Sequence, residues 1–142
     1  MATWTKYNNF VQDLGRKVHN LNADVLKVAL TNTTPTVATD TVLANITELG
    51  AGNGYSAGGA TISTTSWAQT SGTAKLAGLD VVFTASGGSI GPFRYAVVYN
   101  DTPTSPADPL ISYFDYGSSI TITSGNTFTV DFSDNTALCT LA

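Results

Sequence analysis

Residues 78–100 carry the longest side-chain alternation in the chain, and this pattern restricts the region to β structure. In the first half, Leu79, Val81 and Phe83 fall on one face of an extended strand, and polar or β-branched residues alternate with them. Residues 93–99 alternate again, with three aromatic residues and Val97 on one face and Arg94, Ala96 and Val98 on the other. Between the two halves, residues 85–92 contain three glycines and a proline, which favour a turn. The pattern predicts a β-hairpin whose turn is longer than two residues.

The N-terminal region has a different period, which predicts an amphipathic helix over residues 5–21. Its apolar residues recur at intervals that place them in one stripe along a helix with 3.6 residues per turn. Thr3 or Thr5 is suited to cap the N-terminus, and His19, near the C-terminal end, is predicted to be solvated or to pair with the helix dipole. We expect the stripe to cover one face or end of a sheet, and docking on another subunit is the alternative. The stripe consists of Tyr7, Phe10, Val11, Leu14, Val18 and Leu21.

Short alternating segments between glycine- and proline-rich turns predict that the rest of the chain is antiparallel β structure. Residues 119–132 show the tightest hairpin pattern, with a turn at residues 124–126. Residues 41–49 are compatible with a helical turn or a short strand. Because the helices needed for parallel crossovers are absent from the pattern, we expect a mainly β fold. Its architecture is predicted as an antiparallel β-sandwich or jelly-roll-like barrel over residues 25–142, which joins the N-terminal helix in a single domain over residues 1–142. The other predicted strands are residues 25–31, 59–65, 110–116, which Gly117 ends, and 137–141.

The composition of the 142-residue chain favours one domain with a weakly charged surface. Charged residues make up 11% of the chain, against about 25% in an average globular protein. The net charge is −4 and the six Lys and Arg residues are scattered, which argues against nucleic-acid binding. Since the chain has no apolar run of about 18 residues and no signal-peptide pattern, we expect no membrane contact and synthesis in the cytoplasm. The lone cysteine, Cys139, is expected to be a small apolar strand residue.

No combination of residues in the sequence predicts an active site. His19 is the only histidine, which is too few for the usual zinc ligand sets, and no pattern aligns it with a nucleophile. The glycine-rich residues 49–62 lack the Lys-Ser or Lys-Thr ending of a phosphate-binding loop. We therefore predict a non-enzymatic protein with no catalytic residue, cofactor or metal. The acidic residues considered are Asp80, Asp115 and Asp131, formally open to glycoside hydrolysis, and Asp101 and Asp108, expected to be solvated turn residues rather than calcium ligands.

Four strings of the sequence resemble a family of small structural proteins encoded among tailed-bacteriophage virion genes. They are TKYNNFVQDL (5–14), GNGYSAGGATI (52–62), LDVVFTASGGSIGPFRYAVVYN (79–100) and PLISYFDYGSSITITSGNTFTVDF (109–132). The resemblance covers most of the chain and lies in strings typical of a fold, so no functional residue is carried over. It implies a capsid decoration (cement) protein on the virion surface, bound outside the major capsid lattice. A tail or fibre-associated part is the alternative. It also implies contact with the major capsid protein or another virion protein and a homo-oligomer, for which we expect a trimer.

Aromatic residues are the interface anchors that the sequence offers. Trp4 and Tyr7 near the N-terminus, and Tyr55 and Trp67 in predicted loops, are the candidate contacts with a neighbouring protein. The alternative for Tyr7 is a place in the core stripe, and for Trp67 a buried sheet position. A carbohydrate-binding or host-adhesion module is the rival function, which requires a platform of outward-facing rings. The tyrosines considered for that platform are Tyr95, Tyr99, Tyr113 and Tyr116.

Overall fold

A computed structural model describes residues 2–132 and 139–141, and the fold is mainly β with antiparallel strands. In chain order the elements are β1 (Thr3–Lys6), α1 (Asn8–Gly15), β2 (Leu26–Thr31), a 3-10 turn (Leu43–Asn45), β3 (Ala60–Ile62), β4 (Thr64–Thr70), β5 (Thr73–Gly78), β6 (Val81–Thr84), β7 (Ile90–Asn100), β8 (Leu110–Ile122), β9 (Thr127–Val130) and β10 (Cys139–Leu141). Ala137 and Leu138, which begin the last predicted strand, lie outside the described residues. In the described ranges, neither helix has the length and apolar content that crossing a membrane requires.

The largest sheet has five strands in the order β1-β8-β7-β2-β3, and β7 lies at its centre. Residues 95–100 of β7 are buried at every position. A strand that is covered on both faces accepts apolar residues in succession, which explains the run Ala96, Val97 and Val98. The described residues also form a three-stranded sheet, β10-β5-β4, and a two-stranded sheet, β6-β9. Leu76 from β5 joins residues of the other sheets in one apolar core.

The hairpin predicted over residues 78–100 is wrong, although both of its arms contain strands. β6 pairs with β9, whereas β7 pairs with β2 and β8. On the first arm, Val81 and Phe83 are buried as the alternation predicts, but Leu79 is exposed. Alternation shows which face of a strand is covered, and it carries no information on which strand supplies the backbone hydrogen bonds. The long turn between the arms leaves them free to join different sheets.

The strand predicted to end at Gly117 continues through this glycine. β8 remains paired with β7 on both sides of it. Gly117 has a φ of +84°, and the register shifts around it, because Asp115 lies opposite Tyr95 but Ile120 lies opposite Phe93. Extra residues on one strand and a glycine in the left-handed region are typical of a β-bulge. The glycine therefore bends the strand without ending it.

The hairpin predicted over residues 119–132 is also wrong. The turn at residues 124–126 is present, and Asn126 N–H donates to Thr123 O at 3.0 Å. However, the strand before the turn belongs to β8 and stays with β7, while β9 after the turn pairs with β6. The chain thus turns where predicted, and its two arms separate into different sheets.

The helix is shorter than predicted: α1 replaces the helix expected over residues 5–21. Thr5 cannot cap it, because this residue lies in β1 opposite Tyr113. The N-cap residue is Tyr7, which makes no side-chain capping bond. The chain leaves the helix after Gly15 and turns at Lys17, whose φ is +64°.

Burial along α1 also differs from the predicted stripe. Phe10 is buried, but so is Asp13, which the helical pattern placed on a polar side. Asn9 Nδ2 donates to Asp13 Oδ2 at 2.7 Å, which compensates for burial of this carboxylate. Val11 is 48% exposed, and Val18 lies beyond the helix. The strand predicted over residues 25–31 is confirmed as β2.

Candidate interface

Two of the four candidate contact residues, Tyr7 and Tyr55, are buried. The Tyr7 ring packs at 5.6 Å against Tyr113, and its hydroxyl has no hydrogen-bond partner among the described residues. The Tyr55 hydroxyl accepts from Leu30 N–H at 3.0 Å. Burial raises the pKa of both phenols above its ordinary value. Both residues therefore support the core, and the candidate interface is corrected to the two tryptophans.

Glu48, the only glutamate, fastens the glycine-rich segment to the large sheet. Its Oε1 accepts from the Tyr55 hydroxyl at 2.8 Å and from Gly58 N–H at 2.6 Å. Gly58 makes a second bond through its carbonyl oxygen, which accepts from the Tyr99 hydroxyl at 2.6 Å. Glu48, Tyr55 and Gly58 lie within ten positions of one another, but no periodic pattern marks their contacts, and Tyr99 comes from a distant strand. Sequence reasoning therefore missed this role.

Both tryptophans lie on edge strands and are half-buried. Trp4 lies in β1, opposite Phe114 of β8, at one edge of the five-stranded sheet. Trp67 lies in β4, opposite Leu76 of β5, at one edge of the three-stranded sheet. Trp67 is thus a strand residue and not the loop residue that was predicted. In the part of the chain that the structure describes, the outer side of each of these strands has no strand partner.

β4 and β5 form a hairpin, called here the arm (residues 64–78), which sequence reasoning missed. Its turn consists of Ser71 and Gly72, with φ values of +51° and +83°, as in the type I′ turns that connect two-residue hairpins. Residues 68–73 are exposed at every position. Neither face of the arm's end is therefore covered by the described residues. Because no face is covered, the sequence there has no apolar alternation to reveal a strand.

A groove with a volume of about 400 Å³ lies beside the base of the arm. Trp67 bounds it on one side, and Leu14, His19 and Leu21, from the end of α1 and the segment after it, bound it on the other. The groove leaves space next to the Trp67 side chain, which a residue of a partner can fill.

His19 is buried, so the prediction of a solvated residue at a helix end is wrong. Its Nδ1 lies 3.1 Å from Asn100 Nδ2, which also donates to Asp24 Oδ2 at 2.6 Å. Because the amide nitrogen donates, Nδ1 accepts and the neutral ring carries its proton on Nε2. Burial lowers the pKa of His19, while Asp13 and Asp24 act in the opposite direction. The residue ties the segment after α1 to the end of β7.

The aspartates considered for catalysis or metal binding have structural partners. Asp115 accepts two hydrogen bonds from Arg94, at 2.7 and 3.0 Å, which lower the pKa of this carboxyl. Asp101 forms an ion pair with Lys27 at 3.1 Å. Burial, followed by the charge of Asp101, raises the pKa of Asp108. In the described ranges, no group of three or more His, Cys, Asp or Glu side chains is placed to hold a metal ion.

The four tyrosines considered for a sugar platform do not form an exposed set. Tyr95 and Tyr99 are buried, and Tyr113 and Tyr116 are half-buried. The ring of Tyr113 packs edge-on against Tyr95 at 5.9 Å, and that of Tyr116 against Phe128 at 5.0 Å. The rings are therefore engaged with each other and with the core.

Comparison of the chain with models of known protein families, with curated proteins and with solved structures finds no match.

Proposed function

We propose that this chain is a non-enzymatic structural protein of a tailed-bacteriophage virion, which binds the outside of the major capsid lattice as a decoration protein and stabilises the head. The resemblance of its sequence strings to virion structural proteins supports this proposal. In the proposed architecture, the three sheets enclose the core as an antiparallel sandwich or jelly-roll-like barrel. Copies associate into an oligomer, with a trimer as the expected form.

The observation that carries the proposal is the position of the two tryptophans. Trp4 and Trp67 stand half-exposed on the edge strands of two different sheets. A half-exposed tryptophan on an edge strand offers the kind of aromatic anchor that dominates many interfaces. A partner that covers these edges buries both. On a symmetric lattice the same modest contact is repeated many times, so a weakly charged protein without reactive groups gains avidity.

Binding to isolated heads tests the proposal. Heads assembled without this protein are mixed with the purified chain, and bound copies are counted against the major capsid protein. We expect saturable binding at a fixed ratio and a higher temperature of head disruption. Trp4→Ala and Trp67→Ala should each weaken binding by about 2 kcal/mol, roughly 30-fold in apparent Kd, as for an aromatic anchor.

Val11→Ala is the matched control, because it removes an exposed apolar side chain from α1 and lies on neither edge strand. It should leave binding unchanged, and each variant is checked for an unchanged melting temperature. Absence of binding to heads, or equal effects of all three variants, would contradict the proposal. Binding to tails in place of heads would indicate the tail-associated alternative.

A further inference from the structure

The outer edge of β4 has backbone groups that point away from its own sheet. The two-residue turn makes Thr70 and Thr73 the closing pair of the arm, and such a pair exchanges both of its backbone hydrogen bonds. Backbone groups alternate in direction along a strand, so those of Gln69 and Trp67 point away from β5. Within the described ranges no strand lies on that side, and residues 64–70 contain none of the charges and prolines that commonly protect edge strands.

The groove at the base of the arm lies next to this edge. Trp67 lines the groove and also a smaller polar cleft of about 50 Å³, which has Thr64 and Ser66 on its β4 side. The register shift between Thr64 and Ser66 leaves residues 66–70 as the regular part of the strand. A strand that adds to this part of β4 therefore passes beside Trp67, and one of its side chains can enter the groove.

The charge of the groove is opposite to that of the chain. In the described part of the chain, the exposed cation of Lys17 is the one charged side chain that lines the groove, whereas the whole chain has a net charge of −4. Lys17 forms no ion pair with another described residue. The aspartates of this region, Asp13 and Asp24, accept hydrogen bonds from Asn9 and Asn100 and do not line the groove. An acidic group on a partner is the complement of the Lys17 cation.

His19 supplies a second unmatched group in the wall of the groove. The residue is 6% exposed, and its Nδ1 accepts from Asn100, which places the proton on Nε2. No described residue accepts a hydrogen bond from this Nε2–H, and a buried donor without an acceptor costs free energy. A carboxylate in the groove offers an acceptor for this N–H as well as a countercharge for Lys17.

A second copy of the chain does not meet these requirements with its described strands. The strands at sheet edges in the described ranges are β1, β3, β4, β6, β9 and β10, and none of them contains Asp or Glu. Pairing of β4 with any of these strands would leave Lys17 without a countercharge. A different protein that presents an acidic extended segment meets both requirements.

We propose that an extended segment of the capsid partner adds to β4 as a further strand and places an aspartate or glutamate side chain in the groove beside Trp67. Backbone hydrogen bonds then provide affinity, and the groove selects the side chain, as is usual in recognition by strand addition. The inference rests on the proposed function, because it states how the partner covers Trp67.

Charge variants of the groove test this arrangement on heads assembled without the protein. Lys17→Glu should weaken binding about tenfold in apparent Kd, because it places two carboxylates together, whereas Lys17→Arg keeps the cation and should retain the affinity. Arg16→Glu is the matched control, since it changes the net charge equally at an exposed neighbouring residue that does not line the groove. It should weaken binding less than about threefold.

Loss of one backbone donor tests the strand addition separately. Gln69→Pro removes an N–H that points away from β5, so the ladder within the arm keeps its bonds. The matched variant is Gln69→Ala, which also loses the side-chain bond to Gly72 N–H but keeps the backbone N–H. Gln69→Pro should bind heads about tenfold more weakly than Gln69→Ala.

Carbodiimide cross-linking identifies the partner group, because the reagent joins an amine to a carboxylate in direct contact with it. Heads with bound wild-type protein should give a link from Lys17 to an Asp or Glu of another protein, located by mass spectrometry. Lys27 and Asp101, 3.1 Å apart within the chain, are the internal control. This measurement decides the matter if Gln69→Pro lowers the melting temperature.

Each outcome supports or overturns the inference. Unchanged binding of Lys17→Glu, an equal loss in Arg16→Glu, or equal binding of a stably folded Gln69→Pro and Gln69→Ala overturns it. A link from Lys17 to a second copy, or no link where Lys27 reacts, overturns it as well. If the wild type binds heads and all variants bind equally, the proposed function stands and the inference fails. If the wild type does not bind heads, both fail.

Discussion

Replacement of Gly59 by alanine should destabilise the protein strongly, because this glycine lies directly against the backbone of β2. A Cβ at this position would lie 1.9 Å from Val28 O and 2.8 Å from Ala29 Cα. These atoms belong to the backbone and cannot rotate away. β2 is itself held between β3 and β7, so the alanine variant has to move β3.

The cost has two parts. Gly59 has a φ of +75°, and a residue with a side chain pays about 1 kcal/mol to adopt this left-handed conformation. Moving β3 also weakens its pairing with β2, which spans three residue pairs beginning at Leu26 and Ile62. At about 1 kcal/mol for each backbone hydrogen bond, the loss of two or three bonds brings the total to about 3–4 kcal/mol. This is a large part of the 5–15 kcal/mol that stabilises a typical domain.

Gly87→Ala separates the two parts. Gly87 has a φ of +79°, but no atom lies within 4 Å of a Cβ built there, so only the conformational cost of about 1 kcal/mol applies. Urea denaturation of both variants gives the two free energies of unfolding. Equal destabilisation of the two variants would refute the reasoning, since it would show that the contact with β2 costs nothing.

Two further predictions concern buried polar groups. Tyr55→Phe should lower the free energy of unfolding by about 2 kcal/mol, because it leaves the buried Leu30 N–H without its acceptor. Tyr7→Phe should be neutral or stabilising, since that hydroxyl has no partner among the described residues. A similar loss of stability in both variants would contradict this prediction. The folded-state pKa of His19 lies below its ordinary value, so its contribution to stability is complete above about pH 6.5 and is lost as the pH falls through the folded-state pKa. Denaturation at pH 7.5 and 5.5 should show this fall in the wild type and a smaller one in His19→Asn, and equal slopes would exclude His19 as its source.

Much of the secondary structure could be predicted from sequence, because strand segments are marked locally. The burial of Leu26, Val28 and Leu30 in β2 follows their alternation, and the turn at residues 124–126 follows its Ser-Gly-Asn sequence. The predicted helix is longer than α1 because Val18 and Leu21 continue the apolar period beyond Gly15. Residues buried by tertiary contacts beyond a helix can match its period by position alone.

The candidate interface could be predicted only in part. Residue type alone suggested Trp4 and Trp67, but it also suggested Tyr7 and Tyr55, and composition does not distinguish a buried ring from an exposed one. The arm was missed, because strand prediction depends on a covered face. In the sequence Glu48 stands out only as the single glutamate, and its bonds to Tyr55 and Gly58 follow from the way the glycine-rich segment folds.

The amino-acid sequence by itself determined where the chain extends and where it turns, because side-chain alternation and the backbone preferences of glycine and proline act over a few residues. Tertiary structure alone decided that β6 pairs with β9, that β7 lies between β2 and β8, and that the outer edges of β1 and β4 have no strand partner among the described residues. The physical reason is that any strand offers the same backbone donors and acceptors. The choice of partner therefore depends on which pairing buries the apolar faces of the whole chain together.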